Sequence, residues 1–188
     1  MQQVMSERNT KMHPHKFLLW VAIGSMTMMF AGFTSAYIVK SNQAGWQPVP
    51  MPKIFYGSTL LIVISSLTIF IAEQQFKKRE MARYKLWITT TALLGIAFLI
   101  MQVTGFLQLW EQQYTFQDSV AGSFFYIIAG MHGLHLAGGV IALLLLFFRA
   151  FGTKTRYYSA VPIEIAGIYW HFVDLLWVYL FVFFMMVS

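Results

Sequence analysis

The chain has 188 residues, of which 58% are hydrophobic and only 11% are charged. Soluble domains have about 45–50% apolar and about 25% charged residues, so this composition argues against a water-soluble fold and indicates a membrane protein. The net charge of +6 comes from basic residues scattered between apolar segments, which argues against nucleic-acid binding, and the absence of cysteine excludes disulfides, thiolate zinc sites and Cys-ligated iron–sulfur clusters.

Five continuously apolar stretches are long enough to cross a bilayer, since a hydrocarbon core of about 30 Å needs about 20 helical residues. The runs show no polar alternation, which favours helices over the strands of a membrane barrel. We therefore predict an all-α polytopic membrane protein, a single transmembrane domain over residues 1–188. Its five spans are predicted at about 17–39, 54–72, 86–110, 120–148 and 163–187.

The segments that connect the predicted spans differ in their basic residues. Lys and Arg collect on the inner side of membrane proteins, so their distribution over alternate segments predicts orientation. One set of alternate segments holds Arg8, Lys11, Lys16, Lys77, Lys78, Arg79, Arg83, Lys85, Arg149, Lys154 and Arg156, and the other set holds Lys40 and Lys53. The sequence therefore predicts that the N-terminus lies inside and the C-terminus outside.

Ionisable side chains within the spans are concentrated in the last two. Such groups are costly at membrane depth and usually functional. His132 and His135 are three residues apart and share one face of span four. Glu164, His171 and Asp174, spaced seven and three apart, share one face of span five. Because these consecutive helices are antiparallel and polar faces avoid lipid, we predict a buried polar network that links the two faces.

Two other features stand out inside the spans. Gln102 is the polar residue in the interior of span three, whereas the interiors of the first two spans hold no ionisable group. Ala129, Gly133 and Ala137 form a small-xxx-small ridge on span four, a pattern that lets another helix approach closely. We therefore expect span four to pack against a neighbour along this ridge.

Three interpretations of the buried polar groups are open. His135 and His171 could formally hold a haem between two helices. Two histidines together with Glu164 or Asp174 could bind a metal ion. The favoured interpretation is a structural hydrogen-bond network that fixes helix packing, or one that handles protons without a metal. A copper–haem centre needs histidines on more than two helices, and two of the five histidines lie in the N-terminal arm.

Two motifs in the C-terminal half resemble subunit III of the haem-copper respiratory oxidases. The stretch SFFYIIAGMHGLHLAGGVIALL resembles the HGLH-containing helix of that family, and PIEIAGIYWHFVDLLWVYLFV resembles its last helix. Weaker similarities are FAGFTSAY at 30–37 and an LGxxFxxxQ element that ends at Gln102. The positions that carry the family motifs are Gln102, Glu164, Tyr169, Trp170, His171, Asp174 and Trp177.

The resemblance implies a five-helix subunit III in the bacterial cytoplasmic membrane. Such a subunit carries no redox centre, since haem and copper belong to subunits I and II. It packs against subunit I, holds phospholipids in a cleft, and supports proton uptake and turnover stability. Longer members carry a buried glutamate where this chain has Met26, and many members have an acidic residue where it has Gly105, so no role that depends on those carboxylates transfers.

Other functions fit parts of the pattern. A quinol oxidase also has a five-helix subunit III, and the electron donor is set by the other subunits. An accessory protein of nitric oxide reductase has the same fold. A small transporter would use the polar faces as a substrate path, but the sequence shows no inverted repeat or broken helix. A b-type cytochrome would itself bind haem, which a visible spectrum of the isolated chain would reveal.

Overall fold

The computed structural model describes residues 14–43, 46, 49, 51–111, 120–151 and 160–187. These residues form five helices and no strand. The helices are α1 (Pro14–Ser41), α2 (Ile54–Lys77), α3 (Met81–Glu111), α4 (Val120–Phe151) and α5 (Val161–Val187). All five are long and apolar enough to cross a membrane, which confirms the predicted all-α class and the number of helices.

The helices extend beyond the apolar stretches that predicted them, most of all where α2 meets α3. There α2 continues to Lys77 and α3 begins at Met81, so both include charged residues that the apolar stretches left out. Helical hydrogen bonding continues past the hydrocarbon core, which is why hydropathy alone underestimates helix length. Arg8, Lys11, Lys154 and Arg156, which contribute to the predicted orientation, lie outside the described residues, as does His13.

The turn between α2 and α3 is a Schellman motif with an arginine at its left-handed position. Arg79 has φ of 60°. Its backbone N–H donates to the carbonyl of Phe76, and the N–H of Glu80 donates to that of Gln75, both at 3.0 Å. These two bonds satisfy carbonyls that the end of a helix otherwise leaves unpaired. The motif reverses the chain within three residues and sets α2 and α3 antiparallel.

Four of the helices form a closed ring, and the fifth lies outside it. In the ring, α2 contacts α3, α3 contacts α4, α4 contacts α5, and α5 returns to α2. Within the described part of the chain, α1 contacts α4 and α5 but neither α2 nor α3. Among the described helices, α4 and α5 therefore have three neighbours each, and α1 lies against both of them.

The helices of the ring approach one another most closely at glycines other than Gly133, which the sequence predicted. A Cβ atom on Gly95 of α3 would lie 2.7 Å from Trp170, and one on Gly139 of α4 would lie 3.1 Å from the same ring. A Cβ on Gly133 would meet nothing within 4 Å, so the ridge predicted along Ala129, Gly133 and Ala137 is not the line of closest packing. The rotation of α4 that buries His132 turns Gly139 inward.

Candidate functional site

The side chain of Trp170 occupies the centre of the ring and touches three other helices. It is fully buried. Its Nε1–H donates to Oγ of Ser65 on α2 at 3.1 Å. Its ring lies against Gly95 of α3 and Gly139 of α4, the two positions where a Cβ would collide with it. Trp170, which a family motif predicted, therefore packs at the centre of the ring and is held there by one hydrogen bond.

Trp177, seven residues further along α5, repeats this arrangement. Its Nε1–H donates to Oγ1 of Thr59 on α2 at 3.0 Å. Its ring centroid lies 5.4 Å from that of Phe98 on α3 and 5.0 Å from that of His132 on α4. Such centroid separations are typical of favourable aromatic pairs. The two tryptophans therefore bind the same three helices at two levels, about two turns apart.

His132 is enclosed by aromatic rings rather than by hydrogen-bonding groups. The side chain is fully buried, and besides Trp177 its ring lies near Phe30 and Phe98, both at a centroid distance of 6.4 Å. Neither ring nitrogen has a hydrogen-bond partner among the described residues. Gln102 of α3 is also buried, and neither atom of its amide group has a partner within the same residues. Both predicted positions therefore present orphaned polar atoms in the core.

His171 lies on the α2 side of α5 and is only half-buried. Its Nδ1 shares a hydrogen bond of 2.6 Å with Oγ of Ser66. Asp174 follows one turn later, is buried, and lies near Ser66, but its carboxylate oxygens make no hydrogen bond to any described residue. The same Ser66 hydroxyl therefore lies beside both His171 and Asp174.

Glu164 is the centre of an ionic cluster at the predicted inner end of the bundle. Its carboxylate lies 2.6 Å from Nζ of Lys16 on α1 and 3.9 Å from Nζ of Lys77 on α2. Lys77 also pairs with Glu73 at 2.7 Å, four residues earlier on its own helix. This inner ionic cluster (Lys16, Glu73, Lys77 and Glu164) joins α1, α2 and α5, although α1 and α2 do not touch. Glu73 and Lys77 could have been predicted as an i,i+4 pair, but nothing in the sequence indicates that Lys16 completes the cluster.

His135 and Tyr169 connect α4 to α5 through the backbone. Nδ1 of His135 donates to the carbonyl of Met131 at 2.7 Å, within its own helix. The hydroxyl of Tyr169 donates to the carbonyl of His135 at 2.9 Å. A second tyrosine, Tyr179, reaches the hydroxyl of Thr34 on α1 at 2.9 Å. Two further hydrogen bonds therefore join α5 to its neighbours, one to α4 and one to α1.

The predicted network is therefore arranged differently from the expectation. No hydrogen bond joins any two of His132, His135, Glu164, His171 and Asp174, all of which are described. Aromatic side chains of α5 face α4, so the ionisable groups of α5 turn to α1 and α2 instead. The described residues contain no group of three or more His, Cys, Asp or Glu side chains that could hold a metal ion. The absence of a cofactor from this chain stays a prediction.

A cavity of about 680 Å³ opens between α1, α4 and α5, on the side of α5 away from His171. Its walls are largely apolar and include Leu19, Ala142 and Ile165, together with the open backbone at Gly138. Arg149, in the last turn of α4, lines the cavity and contributes a cation. The sequence did not predict this cavity, because it depends on how far α1 stands away from the ring.

Comparison with known proteins identifies the family. The profile of the family described as "Cytochrome c oxidase subunit III" matches residues 16–188. The chain belongs to the cytochrome c oxidase subunit III family. This confirms the resemblance inferred from the HGLH and YWHFVD motifs, and it extends over nearly all of the described residues.

Curated relatives of the subunit III family match the chain along most of its length. Cytochrome c oxidase subunit 3 of Bacillus sp. (strain PS3) is 32% identical over 182 residues, which cover 93% of this chain and 87% of the relative. The Bacillus subtilis protein of the same name is 31% identical over the same shares of both chains. The probable cytochrome c oxidase subunit 3 of Nocardia farcinica is 32% identical, with 96% and 90% covered.

Proposed function

We propose that the chain is the non-redox subunit III of a proton-pumping haem-copper terminal oxidase, in which it packs against subunit I, binds phospholipid, and supports proton uptake and turnover stability. The observation that carries the proposal is the match to relatives named cytochrome c oxidase subunit 3 over 93% of the chain. That name also favours cytochrome c over quinol as the electron donor. The chain's redox partners would be subunits I and II, which hold haem and copper.

Affinity purification tests this proposal directly. A tagged chain extracted from its host membrane in mild detergent is expected to bring down subunits I and II and a haem spectrum. After the subunits are separated, the spectrum should stay with the partners. Haem that remains on the isolated chain, or a complex without the other oxidase subunits, would contradict the assignment. The first result would favour the b-type cytochrome instead.

The orientation forms a second part of the proposal. The basic residues of the inner ionic cluster, Lys16 and Lys77, lie at the ends of helices that we place inside, as the positive-inside rule requires. A phosphatase that is active only outside the membrane should therefore be active when fused after α5 and inactive when fused between α2 and α3. The opposite pattern would reverse the assigned orientation.

Phospholipid binding is supported by the cavity between α1, α4 and α5. Its apolar walls suit acyl chains, and Arg149 would hold a headgroup phosphate near the inner surface. Replacement of Ala142 by Leu should fill part of the cavity and reduce the phospholipid that co-purifies with the complex. Replacement of Ala97 by Leu on α3, outside the cavity lining, is the control. Equal phospholipid in both variants would exclude this cavity as the site.

The polar contacts of α5 support a role in holding the assembly together. Intramembrane hydrogen bonds are worth about 0.6–2 kcal/mol each, and α5 makes them to α1, α2 and α4. Replacing His171 with Leu removes the bond to Ser66 and should shorten the lifetime of the complex during turnover and weaken its association with subunit I. A variant complex with the stability and turnover lifetime of the wild type would show that His171 has no such role.

A further inference from the structure

A groove runs along the outside of α5 between α1 and α2. Both of these helices contact α5, but they do not contact each other. Residues at helical spacing on the free face of α5 form the floor, among them Glu164, Ile168, His171, Leu175 and Val182. Leu175 is 70% exposed and Val182 is 43% exposed, so the floor is open along much of its length. We refer to this surface as the α1–α2 groove.

The inner end of the groove is closed by the inner ionic cluster. Glu164 in the floor binds Lys16 from one wall at 2.6 Å and approaches Lys77 from the other wall at 3.9 Å. These charges bridge the two walls at this end, although α1 and α2 have no backbone contact. The walls are otherwise positioned by their separate packing against α5.

The floor carries a polar group well inside the span of α5. His171 lies ten residues into α5, about 15 Å along the helix axis from Val161. Its Nδ1 is bound to Ser66, while its Nε2 has no hydrogen-bond partner among the described residues. An ionisable side chain at this depth rarely faces lipid, because acyl chains offer no hydrogen bond. The groove thus contains a hydrogen-bonding position that lipid tails cannot satisfy.

The walls have the shape and composition that a helix needs. On α1, the residues beside the stripe that reaches α5 include Gly24, Thr27 and Ala31, and a Cβ on Gly24 would meet nothing within 4 Å. Small residues let another helix approach closely. On α2, the face that carries Ser66 also presents Phe70, which is 51% exposed. A small-residue wall and an aromatic wall flank an apolar floor with one polar position.

We propose that one transmembrane helix of a neighbouring oxidase subunit lies in the α1–α2 groove and places a hydrogen-bonding side chain opposite Nε2 of His171. This inference rests on the proposed function, since it requires a complex with other oxidase subunits. It adds which face of the chain meets that partner and at which residue. Lipid is the competing occupant, but it would leave His171 without a partner.

The absence of cysteine makes the groove directly testable. A single cysteine is introduced by Leu175→Cys in the floor, or by Leu134→Cys on α4 as the matched control, because these leucines are 70% and 68% exposed in mid-helix. A benzophenone maleimide is attached in native membranes and activated by light. The floor position is expected to cross-link to a transmembrane peptide of another oxidase subunit with a yield several-fold above the control. Cross-linking to lipid alone, or a yield no higher than the control, would overturn the proposal.

A steric block provides a second readout. Leu175→Trp should fill the groove and lower the amount of the neighbouring subunit that co-purifies, whereas Leu134→Trp should leave that amount unchanged. Unchanged co-purification with Leu175→Trp would contradict occupation of the groove by a helix. If the wild-type chain brings down no oxidase subunit at all, the proposed function itself fails. If the subunits co-purify but the floor cross-links only to lipid, the groove proposal alone fails.

Discussion

Single atoms decide how α5 fits into the ring, and Gly95 shows this most directly. The hydrogen of this glycine faces the indole of Trp170, and a methyl group in its place would lie 2.7 Å from Cη2. The indole cannot move away easily, because its Nε1 is held by Ser65 and its other edge lies against Gly139. The residue must therefore be glycine for a packing reason and not for backbone freedom.

We predict that Gly95→Ala destabilises the bundle by about 1–2 kcal/mol. Overpacking a tight core costs about 1–3 kcal/mol, and the better helix propensity of alanine offsets up to about 1 kcal/mol of that. Gly133→Ala is the control, since its Cβ would meet no atom within 4 Å, and it should be neutral or slightly stabilising. The free energy of unfolding in mixed micelles distinguishes the two. Equal effects would mean that the contact with Trp170 does not limit this position.

The hydrogen bond between Trp170 and Ser65 gives a second prediction at this scale. Ser65→Ala leaves the buried Nε1–H without an acceptor, which costs about 1–3 kcal/mol. In a double-mutant cycle with Trp170→Phe, the coupling energy should be about 0.6–2 kcal/mol. A coupling near zero in the same unfolding assay would show that the bond contributes nothing beyond packing.

Many of the residues of the candidate site could be predicted from the sequence, but the groups that accept their hydrogen bonds could not. The motif identified Tyr169, Trp170 and Trp177, and all three make cross-helix hydrogen bonds. Their acceptors are two ordinary hydroxyls of α2 and one backbone carbonyl of α4. Serine and threonine are common in membrane helices and usually bond to their own backbone, so no pattern marks the two that bind indoles.

At the scale of the helices, the end of α2 carries a strained residue whose replacement should stabilise the chain. Arg79 adopts φ of 60°, where a β-carbon is unfavourable and glycine is preferred. We predict that Arg79→Gly stabilises the bundle by about 0.5–1 kcal/mol. Lys78→Gly should instead destabilise the bundle, since Lys78 has φ of −77° in the ordinary helical region. Both are measured as the free energy of unfolding. A loss of stability in Arg79→Gly would show that its side chain makes a contribution that outweighs the strain.

The number of helices followed from hydropathy, whereas the way in which their faces meet did not. Spacing predicted one shared face for His132 and His135 on α4, and another for Glu164, His171 and Asp174 on α5. The expectation that the two faces pair with each other ignored the aromatic residues between them. Trp177 lies against His132, and Tyr169 reaches only a carbonyl of α4. Rotation of each helix about its axis is set by the largest side chains, and spacing alone does not reveal it.

At the scale of the whole molecule, the inner ionic cluster holds α1 to the ring but should add little to its stability. The side chains of Lys16 and Glu164 are 33% and 25% exposed, and exposed ion pairs are typically worth about 0–1 kcal/mol. We predict that Glu164→Gln costs less than about 1 kcal/mol of unfolding free energy and that high salt removes most of the difference. A loss comparable with that of Gly95→Ala, insensitive to salt, would mean that the cluster is a major structural anchor.

The placement of Trp170 and Trp177 also orders the events of biosynthesis. The ribosome delivers α5 after the other four helices, so the slot beside Gly95 and Gly139 stays empty, and the hydroxyls of Ser65 and Thr59 lack their indoles, until that moment. A polypeptide interrupted before Trp170 cannot close the ring. We expect such fragments to be degraded faster in a pulse–chase experiment than the chain that contains α5, so that insertion of α5 serves as a checkpoint for assembly of the bundle.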